Sequence, residues 1–170
     1  MRKGAEADDE PLFANLIDDE PALAAAVVEA RKALHCFKAA AAKTQFSPAT
    51  YLVKVPFIDR SDIGGKALVR TPDSAIENET RPLVHLWLCV TSVLEDLFFC
   101  SIGEAPEQLH LNKGDSFVIE DKIIEDWMIN HQGAAYGGFS LRVIWNRLRE
   151  MDRNRFHDHT GIRHFKEQMP

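Results

Sequence analysis

The sequence predicts an α+β domain: a curved antiparallel sheet of about four to five strands packed against a long N-terminal helix, with a second helix near 140–151. Three observations carry this. Leu23, Val27, Ala30, Leu34, Phe37 and Ala41 recur at alternating four- and three-residue steps, which puts them on one helical stripe. Tyr51, Val53, Val55 and Phe57 alternate with Leu52, Lys54 and Pro56, the period of a half-buried strand. Leu83 to Val93 (LVHLWLCVTSV) is apolar on both faces, as expected of a strand covered on both sides.

Taken in order, residues 1–10 are polar and acidic, and a flexible N-terminus is expected over 1–18, with a short helical turn over Pro11 to Ile17. Asp18-Asp19-Glu20-Pro21 is a helix start: Asp19 suits the N-cap, Pro21 the first turn, and the carboxylates the positive end of the dipole. One helix is expected from about Pro21 to Lys43, its Ala-rich filling raising propensity, with Glu29, Arg31, Lys32 and Lys38 on a solvated face and His35 at its border. Phe46-Ser47-Pro48 ends it, and Pro56 marks the following strand as an edge or a strand end. Asp59 to Arg81 is irregular, broken by Gly64-Gly65 and Pro72, with a short strand over 66–70. Glu95-Asp96 turns the chain into a partner strand over 97–102; a loop follows over 103–112.

Lys113-Gly114-Asp115 is a turn signal before a strand over 116–121. Ile123 to Ile129 mixes large apolar groups with two carboxylates, and Gly133, Gly137 and Gly138 predict a loop. Ser140 is the expected N-cap of the last long helix and Phe139 its staple residue, with Leu141, Ile144, Trp145 and Leu148 on one face. The organisation read from this is a single domain over 19–150 and a charged, His-bearing appendage over 151–170 that docks weakly or frays.

A chain of 170 residues with 45% hydrophobic and 27% charged content buries a core of its own. A net charge of −6 argues against nucleic-acid binding through phosphate neutralisation. Cys36, Cys89 and Cys100 lie in apolar contexts without CxxC spacing and read as reduced, buried thiols. No apolar run of about 20 residues is present and no secretory signal pattern follows Met1-Arg2-Lys3, so no membrane association and a cytoplasmic location are expected.

Several segments together resemble a known family. They are Ala30-Arg31 with Phe37, Val53-Lys54-Val55-Pro56-Phe57, His85-Leu86-Trp87-Leu88, Lys113-Gly114-Asp115, Ile124-Glu125-Asp126-Trp127-Met128 and Gly137-Gly138-Phe139-Ser140-Leu141-Arg142. In this order the chain resembles the YegJ-like family of bacterial domains of unknown function (family 2314) over about residues 20–150. The Asp-Trp followed by Gly-Gly-aromatic-Ser-x-Arg is the most specific part. Val84 stands where the family often has Glu, and the 59–82 segment is longer than its usual form. The resemblance implies an α+β fold and no established activity, substrate or cofactor.

The candidate chemistry gathers at 126–142. Asp126 beside Trp127 is a carboxylate against an aromatic wall, where desolvation raises a pKa; the plainer reading is a cap for a short helix, with Trp127 in the core. Gly137 and Gly138 with Arg142 have the makings of an anion site, free N–H groups at a helix start plus a guanidinium; the plainer reading is a tight turn with Arg142 paired to Asp126 or Glu125. Lys54 lines a cleft or protects an edge. His85 and Trp87 share one strand face and read as core groups. His157, His159 and His164, with Asp158 nearby, are a weak metal alternative against the reading of no metal site, since the segment shows no supporting shell. Ser101 and Ser140 lack a nucleophile frame.

The leading functional expectation is a non-catalytic binding module, without cofactor, whose surface is the 126–142 segment and the neighbouring 59–82 insertion. The partner is another protein or a small anionic ligand, and self-association as a homodimer is compatible with the chain. The alternative is a small hydrolase-like enzyme with Asp126 or Glu125 as general base and Arg142 as anion stabiliser. That alternative requires Asp126 in a concave, partly exposed pocket.

Overall fold

The computed structural model describes residues 20–43, 46–73 and 80–169. The readings of a flexible 1–18, a helical turn at 11–17 and an Asp19 cap lie outside the described residues. Four helices and eight strands are described: α1 (Glu20–Lys32), α2 (Leu34–Lys43), β1 (Thr50–Ile58), β2 (Leu68–Val69), β3 (Leu83–Leu94), β4 (Leu97–Ile102), β5 (Ser116–Glu120), β6 (Asp126–His131), β7 (Ala134–Gly137), α3 (Phe139–Arg147), α4 (Glu150–Thr160) and β8 (His164–Phe165).

The fold is α+β, but the sheet has eight strands and not four to five. Its order is β5-β4-β3-β1-β6-β7-β8, with β2 on β1, and it does not close into a barrel. The extra strands come from residues that read as irregular. Gln132 and Gly133 both have positive φ (53° and 88°), the two-residue turn that matches strand twist, so the glycine-bearing segment is a hairpin and β7 is its second strand. After α4 the chain returns to pair β8 with β7 in parallel, Ala134 opposite His164 and Ala135 opposite Phe165.

β1 is central. Residues 50–54 pair with β6, residues 52–58 with β3, and Phe57 and Ile58 with β2. Pro56 falls where β6 has ended and β2 has not begun, which is how a residue without an N–H is tolerated in the middle of a sheet. Lys54 is therefore not an edge guard. β3 was expected to be covered on both faces; Leu86 and Leu88 are buried, whereas His85, Thr91 and Ser92 on its other positions are exposed.

The two faces of the sheet carry separate cores. Val53, Val55, Leu86, Leu88, Trp127 and Ile129 pack under α1 and α2 against Ala30, Leu34 and Phe37. On the opposite face Met128, with Leu52 and Trp87, meets Leu141, Ile144, Phe156 and Ile162 from α3, α4 and the turn after it. Phe156 is 0% exposed and Ile162 1%, so residues beyond 150 close the second core and do not fray.

The expected single N-terminal helix is two. Ala33 N–H still bonds Glu29 O (3.1 Å), but Cys36 N–H turns to Ala33 O (3.0 Å), an i→i+3 step. At the break, Ala30 O, which a continuous helix offers to residue 34, accepts the indole N–H of Trp127 (2.9 Å). The cysteines are free, and only Cys100 is fully buried; Cys36 and Cys89 are half-buried. Burial first, and Cys89 second, push the Cys100 thiol up to about 12. No helix among the described residues is long and apolar enough to cross a membrane.

Candidate functional site

Asp126, Trp127, Gly137, Gly138, Arg142 and Lys54 do converge. Strand pairing puts Lys54 opposite Asp126 and Met128 opposite Gly137, and the chain turns from β7 straight into α3. Asp126 is 1% exposed. Its carboxylate accepts four hydrogen bonds: Trp127 N–H (2.8 Å), Phe139 N–H (3.1 Å), Ser140 N–H (2.8 Å) and Ser140 Oγ–H (2.6 Å). Ser140 is thus not the cap of α3. Gly138 occupies that position in a left-handed conformation (φ 63°), and a carboxylate from β6 satisfies the helix's first free N–H groups. Burial pushes the Asp126 carboxyl above its usual range, while the bonds from Ser140, Trp127 and Phe139 pull it down.

The neighbouring groups complete this joint. Lys54 Nζ donates to Ser140 Oγ (3.4 Å), placing an ammonium one hydroxyl away from Asp126. Trp127 is 2% exposed and packs on Phe37 and Phe139. Arg142 Nε donates to Gly137 O (2.8 Å), its Nη2 donates to Lys166 O, and its guanidinium lies over the Phe165 ring at 4.9 Å. Arg142 is thereby spent on closing α3 onto β7 and β8. Burial lowers its pKa, with Glu167 and Asp126 acting in the opposite direction.

These contacts remove Asp126 as the general base, and Arg142 as the anion stabiliser, of the hydrolase alternative. A general base needs an accessible lone pair facing substrate, and Asp126 has neither access nor a spare acceptor position. Arg142 faces backbone carbonyls of its own chain. Among the described residues no group of three or more His, Cys, Asp or Glu side chains is arranged to hold a metal. His157 Nδ1 bonds Ile162 O and its ring packs on Trp145 (4.9 Å), which separates it from the exposed His159 and His164.

A different place gathers exposed charge. A cleft of about 220 Å³ opens between α1, the segment after β2, and the turn joining β5 to β6. Arg31, Arg70 and Lys122 line it together with one carboxylate, Glu125. The positions follow from backbone contacts. Arg31 reaches across from α1, donating from Nε to Ile124 O (3.2 Å) and from Nη2 to Lys122 O (3.3 Å). Arg70 N–H bonds Pro56 O (2.9 Å), which fixes that residue at the rim. Glu125 N–H bonds Lys54 O (2.9 Å), one residue before the pair that carries Asp126. Glu125 Oε2 then meets His85 Nδ1 at 2.6 Å, with side-chain exposures of 18% and 42%. Pro56, Pro72 and Ile123 form the apolar part of the wall.

Residue-level reading of the sequence missed this cleft. Arg31 was assigned to a solvated helix face and His85 to the core, and nothing in the spacing of 31, 70, 85, 122 and 125 links them. Only the pairing of β1 with β2, β3 and β6 brings them together. The long 59–82 segment was the one hint, since Arg70 and Pro72 belong to it.

The model of a family described as uncharacterised proteins conserved in bacteria (DUF2314) matches residues 20–164. The match runs past residue 150 and takes in α4, in keeping with the burial of Phe156. No curated protein and no solved structure matches the chain.

Proposed function

We propose that this chain, which belongs to that bacterial family, is a non-catalytic binding module and that its cleft takes a small anionic ligand. One observation carries the reading. A protein of net charge −6 sets three cationic side chains around a single cleft. Arg70 has no side-chain partner among the described residues, and a guanidinium left open in this way is a fork for a carboxylate or phosphate. The polar groups at 126–142 support the same reading in a different way. They consume one another, so they hold the scaffold and leave recognition to the cleft.

Thermal unfolding with and without added acetate, citrate or inorganic phosphate tests this at constant ionic strength. Binding to the folded state alone raises Tm with ligand concentration. The wild-type protein is expected to respond to at least one of these anions and Arg70→Ala to lose the response. A wild type indifferent to all of them overturns the proposal.

A further inference from the structure

We infer that the cleft selects a small zwitterion of the α-amino-acid class, a carboxylate beside an ammonium, over a simple anion. This deepens the anion-binding reading and rests on it.

The reason is Glu125. A site built for a bare anion has no use for a carboxylate in its wall, because in a space this small the ligand's charge and the Glu125 charge repel. Glu125 is nevertheless held in place. Its backbone N–H is tied to Lys54 O and its Oε2 to His85 Nδ1. Its Oε1 has no partner among the described residues and is left as an acceptor of a residue that lines the cleft. Such an acceptor next to guanidinium groups fits a ligand that carries a positive donor beside its negative group. His85 acts as a positioning residue for this acceptor.

The cationic side is scaled to one carboxylate. Lys122 Nζ is already paired with Glu120 Oε2 (2.7 Å), and Arg31 spends Nε and one Nη2 hydrogen on backbone carbonyls. Among the described residues Arg70 keeps its full fork. One open guanidinium, helped by the rest of Arg31, suits a singly charged, planar carboxylate better than a phosphate dianion.

Size points the same way. A volume of about 220 Å³ is below that of sites for drug-sized ligands, which favours a ligand of few heavy atoms. Pro56, Pro72 and Ile123 offer apolar surface with no hydrogen-bond donors on their side chains, which favours an aliphatic side chain on the ligand.

Calorimetric titration of the full chain with leucine, isocaproate (leucine without its amino group) and inorganic phosphate tests the inference. Leucine is expected to bind at least about tenfold more tightly than isocaproate. Glu125→Gln, which keeps size and removes charge, is expected to bring that ratio to about one, and Arg70→Ala to weaken both ligands. If isocaproate or phosphate binds wild type as tightly as leucine does, the zwitterion inference is wrong and the anion reading stands. If none of the three binds, both are wrong. The wild-type comparison needs no variant to fold, and the circular dichroism of Glu125→Gln checks that its ratio reports on recognition.

Discussion

Gly137 lies directly beneath Trp127: a Cβ at residue 137 would stand 2.4 Å from the Trp127 carbonyl oxygen and 2.5 Å from its ring. Gly137 also has φ 72°, so space and backbone conformation both require glycine. Gly137→Ala is expected to destabilise the protein by on the order of 3 kcal/mol or more, combining overpacking with left-handed strain. Gly114→Ala is the control, because Gly114 has φ 89° but open space around it; its expected cost is about 1 kcal/mol. Urea unfolding of the two variants measures the difference, and equal losses would mean that the Trp127 contact does not constrain the joint.

The Asp126 carboxyl makes a prediction about pH with a definite sign. Burial raises its folded pKa above the ordinary carboxylate value of 3.8. Between that value and the folded pKa, the native state keeps a proton that the unfolded chain has released. Stability from this group is therefore greatest at acid pH and falls as pH rises through the folded pKa. Asp126→Asn removes the titration. The variant is expected to be less stable by on the order of 2 kcal/mol, since an amide NH2 in place of Oδ2 cannot accept from the Ser140 N–H. Its deficit relative to wild type should shrink as pH rises from 4 to 7. A deficit that grows over that range would show that the hydrogen bonds outweigh burial.

Phe156 tests whether α4 belongs to the fold. It is 0% exposed and packs on Trp145 and Phe165, with ring centroids 5.3 and 6.3 Å away. Phe156→Ala is expected to cost about 3–5 kcal/mol, the range for emptying an aromatic site in a core. Met151, on the same helix, is 69% exposed, and Met151→Ala is expected to stay within about 0.5 kcal/mol of wild type. If chemical denaturation finds Phe156→Ala as stable as Met151→Ala, the second core does not depend on α4.

Much of the fold was legible because the signals were local. The alternation of Val53, Val55 and Phe57 identified β1, and the Glu95-Asp96 turn identified the hairpin of β3 and β4. The convergence of Asp126, Gly137 and Arg142 was also readable, because the three are close in sequence and the glycines permit the sharp return. What failed was long-range. Gly133 and Gly137 suggested a loop, since a glycine that makes a hairpin turn and one that admits a tryptophan ring have the same signature in sequence. Beside the break at Ala33, the Ala30 carbonyl is taken by an indole 97 residues further on, which no helix propensity anticipates. The charged composition of residues 151–160 hid Phe156, which with the exposed Met151 is all the apolar content of that helix. The cleft was invisible because its residues are separated by tens of positions and meet only after the sheet has formed.

The place of β1 between β3 and β6 has a consequence for synthesis on the ribosome. The N-terminal helices emerge first, yet the indole that caps Ala30 is made 97 residues later. At about 5–20 residues per second, their apolar stripe waits roughly 5–20 s for that cover. During this interval the nascent chain offers chaperones an uncovered, broken amphipathic helix, and translation speed through the residues before β6 sets how long the offer lasts.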